Sequence, residues 1–317
     1  MSTNNSTNPE KLPAQECIPW IVLLITESVA ITILNIITII VFLTQRQLQR
    51  RGIYLLIRNL AIVDLLVGAI SGPLQIERLV GENCDVWEYD TSFTWGFLVK
   101  FALLHLFSFA SFTNLVAISL ERVHATFCPS RHFLMNKRVY YVTIAAIWLI
   151  AIIREAIQTV VFKMADEDFD KRAILDPTIY VAYYLICLLL ICLSYVSIFV
   201  KIRFSPHINP LGSVIIRDRQ LTATLFAVTV ASVLNLLPVI LYLSVFTFRP
   251  ETLNDFSLSS FFHTTMTVLI FFLGNSLANP IIYSMRMQGF RAGLENLFCK
   301  TPSHVNAVAL PLTPLNK

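Results

Sequence analysis

One stretch, from Ser92 to Thr126, limits most what this chain can fold into. Between Phe97 and Leu120 it carries Lys100 as its one ionisable group besides His105. The run exceeds the roughly 20 residues that take a helix across a bilayer. At helical spacing Lys100, Leu104, Ser108, Ser111, Leu115, Ile118 and Arg122 fall on one stripe. A polar stripe on so apolar a helix is costly against lipid, so this helix belongs inside a bundle. Where the apolar run ends stand Glu121 and Arg122, in Leu-Glu-Arg-Val-His-Ala-Thr.

The remaining spans read at about Pro19–Leu43, Ile53–Arg78, Val139–Phe162, Pro177–Val200, Arg217–Phe246 and Ser257–Met285. A short amphipathic helix follows over 288–298, with Phe290, Leu294, Leu297 and Phe298 on one side. The sequence therefore implies an all-α membrane protein, a seven-transmembrane helix bundle with an amphipathic helix on its cytoplasmic face. Its parts are a tail over 1–18, the bundle over 19–285, the amphipathic helix over 286–299 and a second tail over 300–317. Composition agrees: 14% of residues are charged, against about 25% in soluble domains.

Basic residues gather on one side. Arg46, Arg50, Arg51, Arg131, Lys137, Arg138, Lys201 and Arg203 follow the odd-numbered spans, and most acids lie opposite. The positive-inside rule then puts the C-terminus in the cytoplasm and the N-terminus outside a plasma membrane. Asn4 and Asn5 each open an Asn-x-Ser/Thr sequon, a glycosylation signal consistent with an outside N-terminus. The first 17 residues lack the features of a cleavable signal peptide, so the first span is expected to target the chain. A net charge of +4 is too small to argue for nucleic acid, and no Gly-rich run offers a phosphate cradle. The six cysteines form no zinc-spaced set, so no metal centre of that kind is expected.

Several motifs coincide on this frame. Asn35 lies in span one, Asn59-Leu60-Ala61 with Asp64 in span two, Glu121-Arg122 in span three, Trp148 in span four and Pro238 in span six. Asn279-Pro280-Ile281-Ile282-Tyr283 with Phe290 closes span seven. Together they resemble the rhodopsin-like (class A) G-protein-coupled receptors over nearly the whole chain. That resemblance implies a receptor that carries an extracellular ligand signal to a heterotrimeric G protein by helix rearrangement, with no substrate chemistry of its own. Arg122 would close a latch on Glu121 or on Asp218 at the start of span six. Tyr195 would meet Tyr283 in the active state, where Pro280 loosens the helix. Asp64 with Ser111, Asn275, Ser276 and Asn279 would form an oxygen site for Na⁺; a protonated carboxyl held by hydrogen bonds is the alternative. Cys299 resembles a palmitoylation position.

The departures inform as well. Phe97 stands where the family usually has the helix-three cysteine, so the usual disulfide cannot form; pairing Cys17 with Cys84 is the expected substitute. Cys187 replaces the helix-five proline, and span six reads Asn235-Leu236-Leu237-Pro238, without the family's tryptophan. Losing the disulfide and the helix-five proline together looks like the melanocortin, lysophospholipid and cannabinoid receptor group, and like an orphan-type receptor. Leu104 occupies the position where amine receptors carry an aspartate, so a lipid or other small molecule is expected rather than an amine. Gln75, Glu77, Lys100, Leu104, His105, Ser108 and Glu155 are the pocket candidates. Lys100 fits an anionic head group or a pair with Glu77. Arg154-Glu155 inside a span is a functional pointer or an internal ion pair.

Two other classes compete. A transporter or channel would use the buried Asp64, Arg154 and Glu155 as an ion path and would show broken helices in two related halves, which the sequence does not. An intramembrane enzyme would need a clustered nucleophile, base or metal set, and the histidines are scattered.

Overall fold

The computed structural model describes residues 11–49, 51–89, 94–164, 169–204, 212–248 and 257–298. Its long helices are α1 (Ala14–Thr44), α2 (Ile53–Asn83), α3 (Trp95–Phe127), α4 (Lys137–Met164), α5 (Phe169–Phe204), α6 (Gly212–Phe248) and α7 (Leu258–Arg286). The short α8 (Gln288–Phe298) follows. All seven long helices contain a segment long and apolar enough to cross a membrane. Two further single-turn helices, Arg46–Gln49 and Pro129–Phe133, sit in connections.

Local chemistry explains the ends and irregularities. Thr94 and Ser257 cap α3 and α7, each side chain accepting from a backbone N–H at 3.2 Å. Pro73 lacks an N–H and its ring crowds the carbonyl of Ala69. Just before it α2 widens into a π-turn over Val67–Ser71. Gly68 and Gly72 let α2 lie directly on α1. A Cβ at Gly72 would fall 2.4 Å from Ser28 Oγ, and one at Gly68 2.8 Å from Ile31 Cγ2.

At one end of the bundle the disulfide Cys17–Cys84 ties α1 to α2, its Cα atoms 6.4 Å apart. Leu12 exchanges backbone hydrogen bonds with Asn83 and Asp85 there, both 2.9 Å. Trp20 Nε1 donates to His263 Nδ1 at 2.8 Å, and Ser259 Oγ donates to Glu16 Oε2 at 2.9 Å, so α7 is joined too. At the opposite end α8 folds back on α1: Phe290 is buried against Phe42 and Tyr283, with ring centroids 5.6 and 6.1 Å apart.

α3 runs through the middle, in contact with α2, α4, α5 and α6. Leu104, Ser108, Ser111, Leu115, Ile118 and Arg122 of the predicted stripe are buried, whereas Lys100 is exposed near the helix start. Helices α5 and α6 run past the apolar runs read from sequence, because their polar flanks continue as helix. A groove of about 410 Å³ opens between α1 and α2, lined by the exposed Ile25, Val29, Ile33, Ala69 and Pro73.

Candidate functional site

The bundle centre holds a buried carboxylate. Asp64 is fully buried on α2, and a lone charge there is costly unless oxygens, donors or a cation surround it. Ser111 Oγ of α3 and Ser276 Oγ of α7 donate to its Oδ1, both at 2.8 Å, and Asn279 Nδ2 donates to Oδ2 at 2.7 Å. Three helices thus meet on one carboxylate. Asn275 and Asn279, both buried, keep side-chain oxygens without a hydrogen-bond partner among the described residues. The observed surroundings of Asp64 are thus two serine hydroxyls and one amide donor. On the same helix, Asn59 Oδ1 accepts from Trp148 Nε1 of α4 at 3.2 Å.

A second constellation occupies the α8 end. Arg122 makes a bidentate pair with Glu121, both buried. The Glu121 carboxylate is also reached by His132 Nε2 of the single-turn helix at 2.7 Å and by Tyr140 OH of α4 at 3.1 Å. Gly52 makes room for that tyrosine: a Cβ on it would lie 2.1 Å from the ring. Sequence reading missed His132, Tyr140 and Gly52, because a loop histidine and a tyrosine at a helix start carry no periodic signature. Asp218 lies in α6, but its side chain is outside the described residues. Tyr195 OH accepts from Thr229 at 3.2 Å, while Tyr283 is buried against Phe42 with its hydroxyl unpartnered among the described residues. The two tyrosine hydroxyls make no hydrogen bond with each other here.

The pocket candidates are spread over the disulfide end, and several are already engaged. Lys100 Nζ sits 2.6 Å from Glu77 Oε1, both side chains partly exposed. Gln75 Nε2 reaches the Leu104 carbonyl at 3.5 Å, and Ser108 and Leu104 are buried. Arg154 pairs with Glu155 and lies 3.6 Å over the Phe109 ring and 4.0 Å over Tyr180. His105 packs on Tyr180, ring centroids 4.9 Å apart. The Arg154–Glu155 pair therefore acts as an internal tie among α3, α4 and α5. Asn4, Asn5 and Cys299 lie outside the described residues.

Seven helices long and apolar enough to cross a membrane thus enclose a buried polar centre, with an arginine–carboxylate pair at one end. The sequence pattern of the 7 transmembrane receptor (rhodopsin family) matches residues 34–283, and the chain belongs to that family. It is a multi-pass plasma-membrane protein that signals as a G-protein-coupled receptor, and it is not an enzyme. Similar proteins include the histamine H2 receptors of Rattus norvegicus (28% identical over 91% of this chain and 84% of that protein) and Homo sapiens (24% over 94% and 85%). A histamine H4 receptor of Rattus norvegicus is 31% identical over 48% of this chain and 37% of its own length.

Proposed function

We propose that this receptor recognises a small organic amine at the disulfide end of the bundle and transmits its binding to a heterotrimeric G protein at the α8 end. The observation that carries the amine class is similarity over about nine-tenths of the chain to receptors named for histamine. Leu104 argues the other way, toward the lipid or other small molecule expected from the sequence and the melanocortin, lysophospholipid and cannabinoid grouping. Full-length similarity outweighs one position, because a cation needs a carboxylate but not one on a fixed helix. In this reading the disulfide end and Asn4 and Asn5 are extracellular, and Cys299 and α8 lie against the cytoplasmic leaflet.

Signalling follows from two buried charges. In the resting state Glu121 holds Arg122, with Asp218 as its second partner, and Asp64, Ser111, Asn275, Ser276 and Asn279 would hold Na⁺. Bound there, the ion would supply positive charge at the bundle centre; Asp64, through its hydrogen bonds with Ser111, Ser276 and Asn279, ties α2, α3 and α7 together. Release of Arg122 opens the α8 end to the G protein, and Pro280 gives Tyr283 the freedom to swing toward Tyr195. Cells expressing the chain, challenged separately with a monoamine panel and a lysolipid panel, test the ligand class by cyclic-nucleotide and calcium readouts. Response to an amine alone is expected; response to lipids alone would overturn the amine class.

A further inference from the structure

The amine reading leaves one chemical question: with leucine at position 104, which carboxylate receives the positive charge? Those acids of the spanning helices whose side chains are described answer by elimination, Glu16 of α1 being held by Ser259 at 2.9 Å. Glu77 is paired with Lys100, Glu82 with Arg78, Glu155 with Arg154 and Glu121 with Arg122. Asp64 is held by three donors deep in the bundle. Glu27 of α1 differs from all of these. Its carboxylate points between α1 and α7, and Oε2 is buried with no hydrogen-bond partner among the described residues. A buried carboxylate oxygen left that way is costly, and a cation relieves the cost.

The neighbours shape a receiving site. A Cβ on Gly274 of α7 would lie 3.4 Å from Glu27 Oε1 and 3.9 Å from Asn235 Oδ1 of α6. The glycine leaves space where two acceptor oxygens from different helices converge. Two acceptors facing one gap repel unless a donor lies between them, and an ammonium group offers several N–H donors and a compensating charge. Asn235 begins the Asn-Leu-Leu-Pro stretch of α6, so a cation bound here touches the helix whose Pro238 breaks the backbone ladder.

Resting on the amine reading, we propose that Glu27 is the counter-ion of the ligand's ammonium group, with Asn235 as second acceptor and Gly274 as the opening that admits it. A cation bound there couples α1, α6 and α7 directly.

The test uses the purified full-length receptor and two alkylammonium probes, histamine and 5-hydroxytryptamine, with 4-methylimidazole as a control that lacks the ammonium arm. At millimolar probe the wild type is expected to melt several degrees higher with at least one amine and unchanged with the control. Glu27→Gln is expected to lose that shift, and Glu27→Asp, which keeps the charge on a shorter arm, to retain part of it. An equal amine shift in wild type and Glu27→Gln overturns the assignment to Glu27 while leaving the amine reading intact. No shift of the wild type by either amine overturns the amine reading and this assignment with it.

Discussion

Replacing Asp64 by asparagine removes one charge from the bundle centre and almost no volume. In the wild type both carboxylate oxygens are engaged, by Ser111 and Ser276 at 2.8 Å and by Asn279 at 2.7 Å. In the proposed site Asn275 and Asn279, whose side-chain oxygens are unpartnered among the described residues, would add to the oxygens offered to sodium. Sodium bound there stabilises the folded receptor by RT ln(1 + [Na⁺]/Kd), about 1.4 kcal/mol when sodium is tenfold above Kd. For a chain of this size that corresponds to a rise in Tm of about 2–4 °C. In Asp64→Asn the charge is gone and an amide N–H₂ faces the Asn279 donor, so the shell loses both its anion and one acceptor. The assay is thermal unfolding of purified wild type and variant in NaCl and in N-methylglucamine chloride at equal ionic strength. The wild type is expected to gain from sodium in a concentration-dependent way and the variant not at all. A sodium shift of equal size in Asp64→Asn would show that the ion acts elsewhere and that Asp64 is a hydrogen-bonded core residue.

Further expectations concern the rest of the bundle. Gly52→Ala places a methyl about one bond length into the Tyr140 ring, which its hydroxyl contact with Glu121 holds in place; Tm should fall, and Gly52→Ala with Tyr140→Ala should be less than additive. Arg154→Gln strands the Glu155 charge in a buried site, a loss of about 3–5 kcal/mol, so melting should drop further than in Arg154→Gln with Glu155→Gln. Peptide mapping under non-reducing conditions should recover Cys17 joined to Cys84, and free thiols at both in surface-expressed protein would contradict the disulfide. Asp218→Asn should raise agonist-free signalling at matched surface expression; unchanged basal output would remove Asp218 from the latch.

The seven spans could be read from the sequence because each is an apolar run bounded by charge, and hydropathy marks such runs directly. Their true lengths could not. The flanks of α5 and α6 are polar, and helix there continues by local propensity, which hydropathy does not register. The π-turn of α2 follows from Pro73, but sequence does not say whether a helix kinks or widens before a proline. Asp64 was legible as a carboxylate within an apolar helix, and its neighbours on α3 and α7 through the resemblance to the receptor family, whose motif positions they occupy. The surroundings of Glu121 were legible only as far as Arg122, since His132 and Tyr140 arrive from a loop and another helix, a tertiary fact without local signal. Lys100 shows the limit of periodicity: it shares the helical stripe of Arg122, yet near the helix end it turns to Glu77 and solvent. Glu27 stood in the sequence as one acid in an apolar run. Its distinctness appeared only when the other described acids of the spans had found partners.

The most direct test of the account measures what Glu121 holds back. The purified receptor, reconstituted with a purified heterotrimeric G protein and without agonist, is assayed for nucleotide exchange as wild type and as Glu121→Gln. The variant keeps the shape of the side chain and loses the charge that fixes Arg122. Loss of about 1.4 kcal/mol of differential stabilisation shifts the resting equilibrium about tenfold. Glu121→Gln is therefore expected to raise agonist-free exchange about tenfold over wild type at equal receptor concentration. Exchange at or below the wild-type rate, from a variant that melts as the wild type does, would contradict the latch.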